Sequence, residues 1–213
     1  MDESEHEIAD RVATTHPLDE WLRSLAQATG APGGGAASGV MLAVSAALLR
    51  MVAGYNPEEG RAAASAERLI VLRQEALRAA EQDGVRSAEL GSAMAEPNEG
   101  PRRDRAIVQA AIGGAASSVA LGRVGVALVD ELHALADITS AALAADLVVA
   151  AEALAAGIGG ASINLRADLR LADQHGGGAS TAGRFAADAR ALRTARDAAT
   201  AVAAEQSARF GPL

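Results

Sequence analysis

Apolar residues return along this chain at steps of three and four. Leu69, Leu72, Ala76 and Ala79 do so in one segment, and Phe185, Ala189, Leu192, Ala195, Ala199 and Val202 in another. That spacing lays an apolar stripe along one face of an α-helix. No segment reads convincingly as a strand. Six long helices are predicted. The first starts at Pro17, a good first-turn residue, with Asp19 and Glu20 complementing the helix dipole, and runs to about residue 29. The second covers about 35–53, with Gly54 as its stop. Asn56 and Pro57 open a third, which runs to about residue 95 and is interrupted or bent at Asp83-Gly84. A loop, EPNEGP, leads to a fourth helix over about 102–136, softened by Gly113, Gly114, Gly122 and Gly125. The fifth spans about 140–173. His175 to Gly178, HGGG, is a break, and Ser180 is the expected cap of the sixth. The expectation is an all-α antiparallel bundle of about six long helices, one domain over 1–213 without internal repeats.

Composition sharpens this picture. Half of the 213 residues are hydrophobic (50%), yet only 2% are aromatic, so the apolar content is mostly Ala with Leu, Val and Ile. Small and aliphatic side chains favour closely packed helices over strands. Ala-rich helices fill a core poorly alone, which predicts a face shared with a second copy in a homodimer. Cysteine is absent, which excludes disulfides, thiolate nucleophiles and Cys-metal sites. All 19 positive charges are Arg, which excludes Schiff-base lysines and a Walker-type phosphate lysine. A net charge of −8 argues against nucleic acid as a partner. The acidic start, MDESEHEIAD, is unlike a signal peptide. The uncharged runs 36–49 and 106–122 come nearest to membrane segments but are short and diluted by Ala, Gly and Ser. A cytoplasmic protein with no membrane association is expected.

Several local patterns have chemical readings. In GAPGGGAASG, residues 30–39, a proline and three glycines stand against the start of an apolar helix. Such a loop is a helix connector or a cradle in which N–H groups and a positive dipole end meet a ligand. HGGG resembles an oxyanion motif, but the nucleophile elbow it requires is absent. Asp130, His133 and Asp137 share a helical face at ligand-like spacing without the second element of a di-metal site, so they read as a solvated face and no metal is expected. Gly157, Gly159 and Gly160 read as helix packing. Asp146 and Asn164 stand on an otherwise apolar helix and need partners or a cavity. Asp83, before a helix-weakening glycine, is a further site candidate.

Taken together these residues resemble the formiminotransferase-cyclodeaminase C-terminal domain and the related methenyltetrahydrofolate cyclohydrolases. The resemblance begins at Trp21-Leu22 and Leu25-Ala26 and continues through the PGGG loop, Pro32 to Gly35, and ALLRMVAGY, Ala47 to Tyr55. It then takes in Asp83 with Pro97, and Asp146 with Asn164, so that nearly the whole chain is covered. It implies a helical homodimer with a folate cleft beside the Gly-rich loop. It implies an enzyme that hydrolyses 5,10-methenyltetrahydrofolate to the 10-formyl form, or closes 5-formiminotetrahydrofolate to the methenyl form with loss of ammonia. No tightly bound cofactor is expected, the tetrahydrofolate derivative being the substrate. Asp83, Asp146 and Asn164 are the implied catalytic residues. Pro32, Gly33, Gly34, Gly35, Tyr55 and Asp168 are the implied substrate contacts. The cationic methenyl bridge suits a carboxylate that steadies charge and moves a proton, and Arg102, Arg103 and Arg105 are candidates for the anionic glutamate tail. The chain departs from the family pattern at Ala36 (Ser), the NPEEG after Tyr55, Ser87 (an aromatic), Thr139-Ser140 (Gly-Asn) and Asp168 (Asn). These differences keep open a catalytically silent bundle used for binding or assembly, and a cyclic-amidine hydrolase with a non-folate substrate.

Overall fold

Helices account for nearly all of the computed structural model, which describes residues 18–211, and no strand occurs among them. In chain order they are α1 (Leu18–Leu25), α2 (Gly34–Gly54), α3 (Gly60–Ala95), α4 (Pro101–Ala136), α5 (Ala144–Gln174), α6 (Ala179–Arg184) and α7 (Ala186–Ser207). The all-α expectation holds. α2 packs against α3, α4 and α5, while α7 covers α4 and α5 on the far side.

The boundaries differ from the sequence reading where local chemistry yields to packing. Pro17 lies outside the described residues, and α1 stops at Leu25. α3 runs through Asp83-Gly84 without interruption: Gly84 is buried, and the helix is held on both sides of it. Gly113, Gly114, Gly122 and Gly125 likewise leave α4 continuous. The last predicted helix divides at Phe185 into α6 and α7. Ser180 lies within α6, whose N-cap is Gly178 with φ 71°. Gly176, at φ 91°, takes the other left-handed position in the HGGG break.

The core is aliphatic. Leu42, Leu49, Leu69, Leu121, Leu128, Leu132, Leu147, Leu154 and Ile158 are fully buried, with alanines filling the space between them. Glycines set the helix separations. A Cβ at Gly157 would stand 2.7 Å from Leu42 Cδ2 and 3.0 Å from the Ser38 carbonyl oxygen, and one at Gly39 would stand 2.6 Å from Ala80 Cβ. One at Gly160 would overlap the Ser38 hydroxyl. The run Gly157, Gly159, Gly160 is therefore a packing device. A buried carboxylate, Glu131, is held by Arg68 through Nε at 2.5 Å and Nη2 at 3.0 Å, which ties α3 to α4.

α2, α4 and the stretch 141–174 are long and apolar enough to cross a membrane by length and composition, although the sequence reading placed the apolar runs short of that. About half of each apolar window is buried against other helices. Gly157→Ala forces α2 and α5 apart against backbone as well as side chain, and the expected cost is about 1–3 kcal/mol. Denaturant unfolding of the variant beside the wild type measures it.

Candidate functional site

Trp21 is buried on Ala36 and packs with Leu25, Ala37 and Val40, so α1 is pinned across the start of α2. The chain then turns through Gly30, at φ 83°, and a cis Ala31–Pro32 peptide into the first turn of α2. No side chain caps that turn, and the first intrahelical bond runs from Ala37 N–H to the Gly33 carbonyl. The amides of Gly34, Gly35 and Ala36 thus lie ahead of the hydrogen-bond ladder, at the positive end of the helix dipole.

Asp83 from α3 meets that end. A Cβ on Gly35 would overlap the Asp83 carboxylate, so only glycine admits this approach. Asn164 of α5 stands against Gly34, with its side-chain oxygen and nitrogen both 3.6 Å from where a Cβ would be. One turn further along α5, Asp168 reaches over Gly114 of α4, where a Cβ would lie 2.8 Å from Oδ2. Gly34, Gly35, Asp83, Arg86, Ser87, Gly114, Asn164 and Asp168 line one open cavity of about 100 Å³. Ser87 is also in the wall of a neighbouring hollow of about 340 Å³, bounded by Thr29, Gly30, Ala31, Ala88, Gly91, Ser92 and Ala95. Together the two fall within the size range of small-molecule sites, about 300–1,000 Å³.

The electrostatics are those of two carboxylates crowded out of water. Burial raises the pKa of Asp83, partly offset by the Ser117 hydroxyl, whose oxygen nonetheless completes no hydrogen bond of normal geometry. Asp168 is pushed up to about 7, first by burial and then by the negative charge of Asp83. The arginine in the cavity lining, Arg86, is turned to Glu89, donating from Nη1 to both carboxylate oxygens at 2.8 and 3.0 Å. Such a site offers a proton donor and a proton acceptor together near neutral pH.

Of the residues implied from sequence, Gly34, Gly35, Asp83, Asn164 and Asp168 come together here. Pro32 is buried and Gly33 half-buried in the supporting turn, outside the cavity lining. Asp146 and Tyr55 are placed elsewhere. Asp146 sits in the first turn of α5, 18 positions before Asn164, or about 27 Å along the helix axis. Tyr55 follows the far end of α2 and is 66% exposed. Arg102, Arg103 and Arg105 begin α4 away from the cavity, and Arg103 donates to the Met94 carbonyl at 2.9 Å. Asp130, His133 and Asp137 are exposed, and no metal-binding cluster occurs among the described residues. Arg86 was missed as a cavity residue, and Ser87 was read only as a departure from the family pattern. Their signal was position: they follow Asp83 by three and four residues, on its helical face.

A helical bundle with paired carboxylates beside a glycine-rich helix start is a candidate acid–base site. Comparison with known proteins gives the family. The formiminotransferase-cyclodeaminase family profile matches residues 17–187, and the chain belongs to that family. The fold is similar to the crystal structure of formiminotetrahydrofolate cyclodeaminase from Thermotoga maritima. That likeness has a TM-score of 0.77 at 20% identity, over 90% of this chain and 95% of that one. Curated protein sequences include no significant match.

Two outcomes follow from this geometry. Gly35→Ala displaces the Asp83 carboxylate and costs about 1–3 kcal/mol, read by thermal or denaturant unfolding. For Asp168 the folded pKa lies above the unfolded one, so the folded state binds more protons between pH 4 and 7. Stability therefore falls as pH rises through that window. Asp168→Asn removes the fall, so the variant melts above the wild type at pH 8 and the difference closes towards pH 4.

Proposed function

We propose that this protein acts on the one-carbon unit between N5 and N10 of a tetrahydrofolate derivative. Closure of a 5-formimino group to the methenyl bridge, with loss of ammonia, is the reaction that its site suits best. The observation that carries this reading is the convergence of Asp83, Asn164 and Asp168 on one cavity at the start of α2. The alternative within the same chemistry is water addition to the methenyl bridge, giving the 10-formyl form.

Both reactions pass through a cationic amidine-like carbon. An ionised Asp83 in a dry setting stabilises that charge and accepts a proton as the carbon becomes tetrahedral. The Asn164 amide can both donate and accept, which suits the edge of a pterin or the bridge nitrogens. The free N–H groups of Gly34 and Gly35 suit a ligand oxygen. The adjoining hollow, lined by small residues alone, provides flat wall area for a ring, and its lining has no aromatic residue for stacking.

The reading includes a second copy of the chain. Val44 and Met51 on α2 and Val149 and Ile163 on α5 remain exposed on two helices that pack side by side. α2 carries no charge from Gly34 to Leu49. Covering such a face with its own equivalent is the simplest use of it. Charge at Val44 and Met51, as paired Glu substitutions, is expected to convert a dimer to monomer in sedimentation equilibrium.

The test is turnover of 5-formiminotetrahydrofolate, followed by methenyl absorbance and released ammonia. Asp83→Asn is expected to lower the rate about 10²–10⁴-fold, whereas Asp146→Asn leaves it unchanged. Absence of turnover, together with no folate-induced rise in melting temperature, overturns the reading.

A further inference from the structure

The carboxylate of Asp168 has no evident structural use. It lies over Gly114, where the missing side chain makes room for it, and it lines the same cavity as Asp83. No counter-charge is committed to it. The groups that share its cavity are Asp83, Arg86 and Ser87 of α3 and the Asn164 amide one turn back on α5, while α2 contributes only the backbone of Gly34 and Gly35. Arg86 is bonded to Glu89. Two acidic groups placed together without a cation share one proton.

We infer that Asp168, where the family pattern has Asn, is a second catalytic residue peculiar to this chain, the acid that protonates the departing nitrogen while Asp83 accepts the proton from N10. This rests on the folate reading above and assigns the two halves of its proton transfer. In the step, the N10 lone pair bonds to the carbon of the protonated formimino group, and the C=N π pair moves onto the terminal nitrogen. Asp83 removes the N10 proton. Asp168 delivers its proton to the terminal nitrogen, the C–N bond to that nitrogen breaks with its electron pair, and ammonia leaves. The N5 lone pair completes the cationic methenyl bridge. One positive charge enters and one remains, and the pair finishes with its single proton moved from Asp168 to Asp83. The negative charge of Asp83 is, after burial, the second cause that pushes Asp168 up to about 7.

The test is the pH profile of formimino closure in wild type, Asp168→Asn and Asp168→Glu. The wild type is expected to lose kcat as pH rises above neutrality. Asp168→Asn should lower kcat about a hundredfold or more with KM little changed and erase that alkaline limb, and Asp168→Glu should restore the limb. Should Asp168→Asn fail to fold, ¹³C NMR of the aspartate-labelled wild type reads the pair directly, and a carboxyl titrating near neutrality is expected. Full kcat in Asp168→Asn with the wild-type profile, or no such carboxyl in the spectrum, overturns the assignment while the folate reading stands. A wild type that neither binds nor turns over folates removes the reading, and this assignment with it.

Discussion

The nearness of α2 to its neighbours is the constraint on which the rest of this structure depends. The chain has few bulky side chains, and a core of Leu, Ile and Ala reaches interior density only if the helix backbones come close. Glycine makes that possible. Gly39 faces Ala80 and Leu121, Gly125 faces Ile158, Gly157 faces Leu42 and the Ser38 backbone, and Gly160 faces the Ser38 hydroxyl. Each lies where a Cβ would collide: Gly157 and Gly160 join α5 to α2, Gly39 joins α2 to α3 and α4, and Gly125 joins α4 to α5. Dispersion contacts between such surfaces are individually weak but numerous, and a small increase in separation forfeits a large share of them.

The site is what this packing produces where α2 begins. Close approach carries the uncapped, positive end of that helix against Asp83, with Gly35 as the point of contact. The same closeness excludes water, which raises the cost of a charge on Asp83 and makes a second charge on Asp168 costlier. Gly114 on α4 repeats the arrangement on the opposite wall, again by giving room to a carboxylate rather than to an aliphatic group. Packing and protonation are therefore one problem here, since any change that separates these helices hydrates the pair and lowers its pKa values. Trp21 belongs to the same problem from outside, because it presses α1 onto Ala36 and so holds the loop that sets where α2 starts.

Much of this was legible in the order of residues. The three- and four-residue apolar steps locate the long helices because a buried stripe dominates every local preference over such lengths. The glycine-rich loop, Asp83 and Asn164 were visible because polar or flexible residues in apolar surroundings require a reason. What was not legible was the meaning of a glycine inside a helix. Gly84 reads as a break and is instead buried within an unbroken α3, because tertiary contact outweighs a propensity penalty of about 1 kcal/mol. Phe185 reads as the start of a stripe and is also the corner between α6 and α7. Asp146 could have been set apart from Asn164 by arithmetic alone, since 18 helical residues span about 27 Å. Arg86 went unread because its importance comes from the wall it shares across helices, whereas Ser87 was visible only as a departure from the family pattern.

A pair of carboxylates holding one proton also matches the charge of the proposed reaction. The protonated formimino group and the methenyl bridge each carry a single positive charge, so the site faces the same charge before and after closure. A doubly ionised pair would bind both strongly and hinder release, and uniform binding of that kind gives no acceleration of the chemical step. A doubly protonated pair would leave the cation unbalanced and have no base. The singly protonated pair avoids both conditions and places its remaining charge on Asp83, against the end of α2. That position is set by the absent side chain of Gly35, so in the proposed step the glycine that lets two helices touch also selects the base.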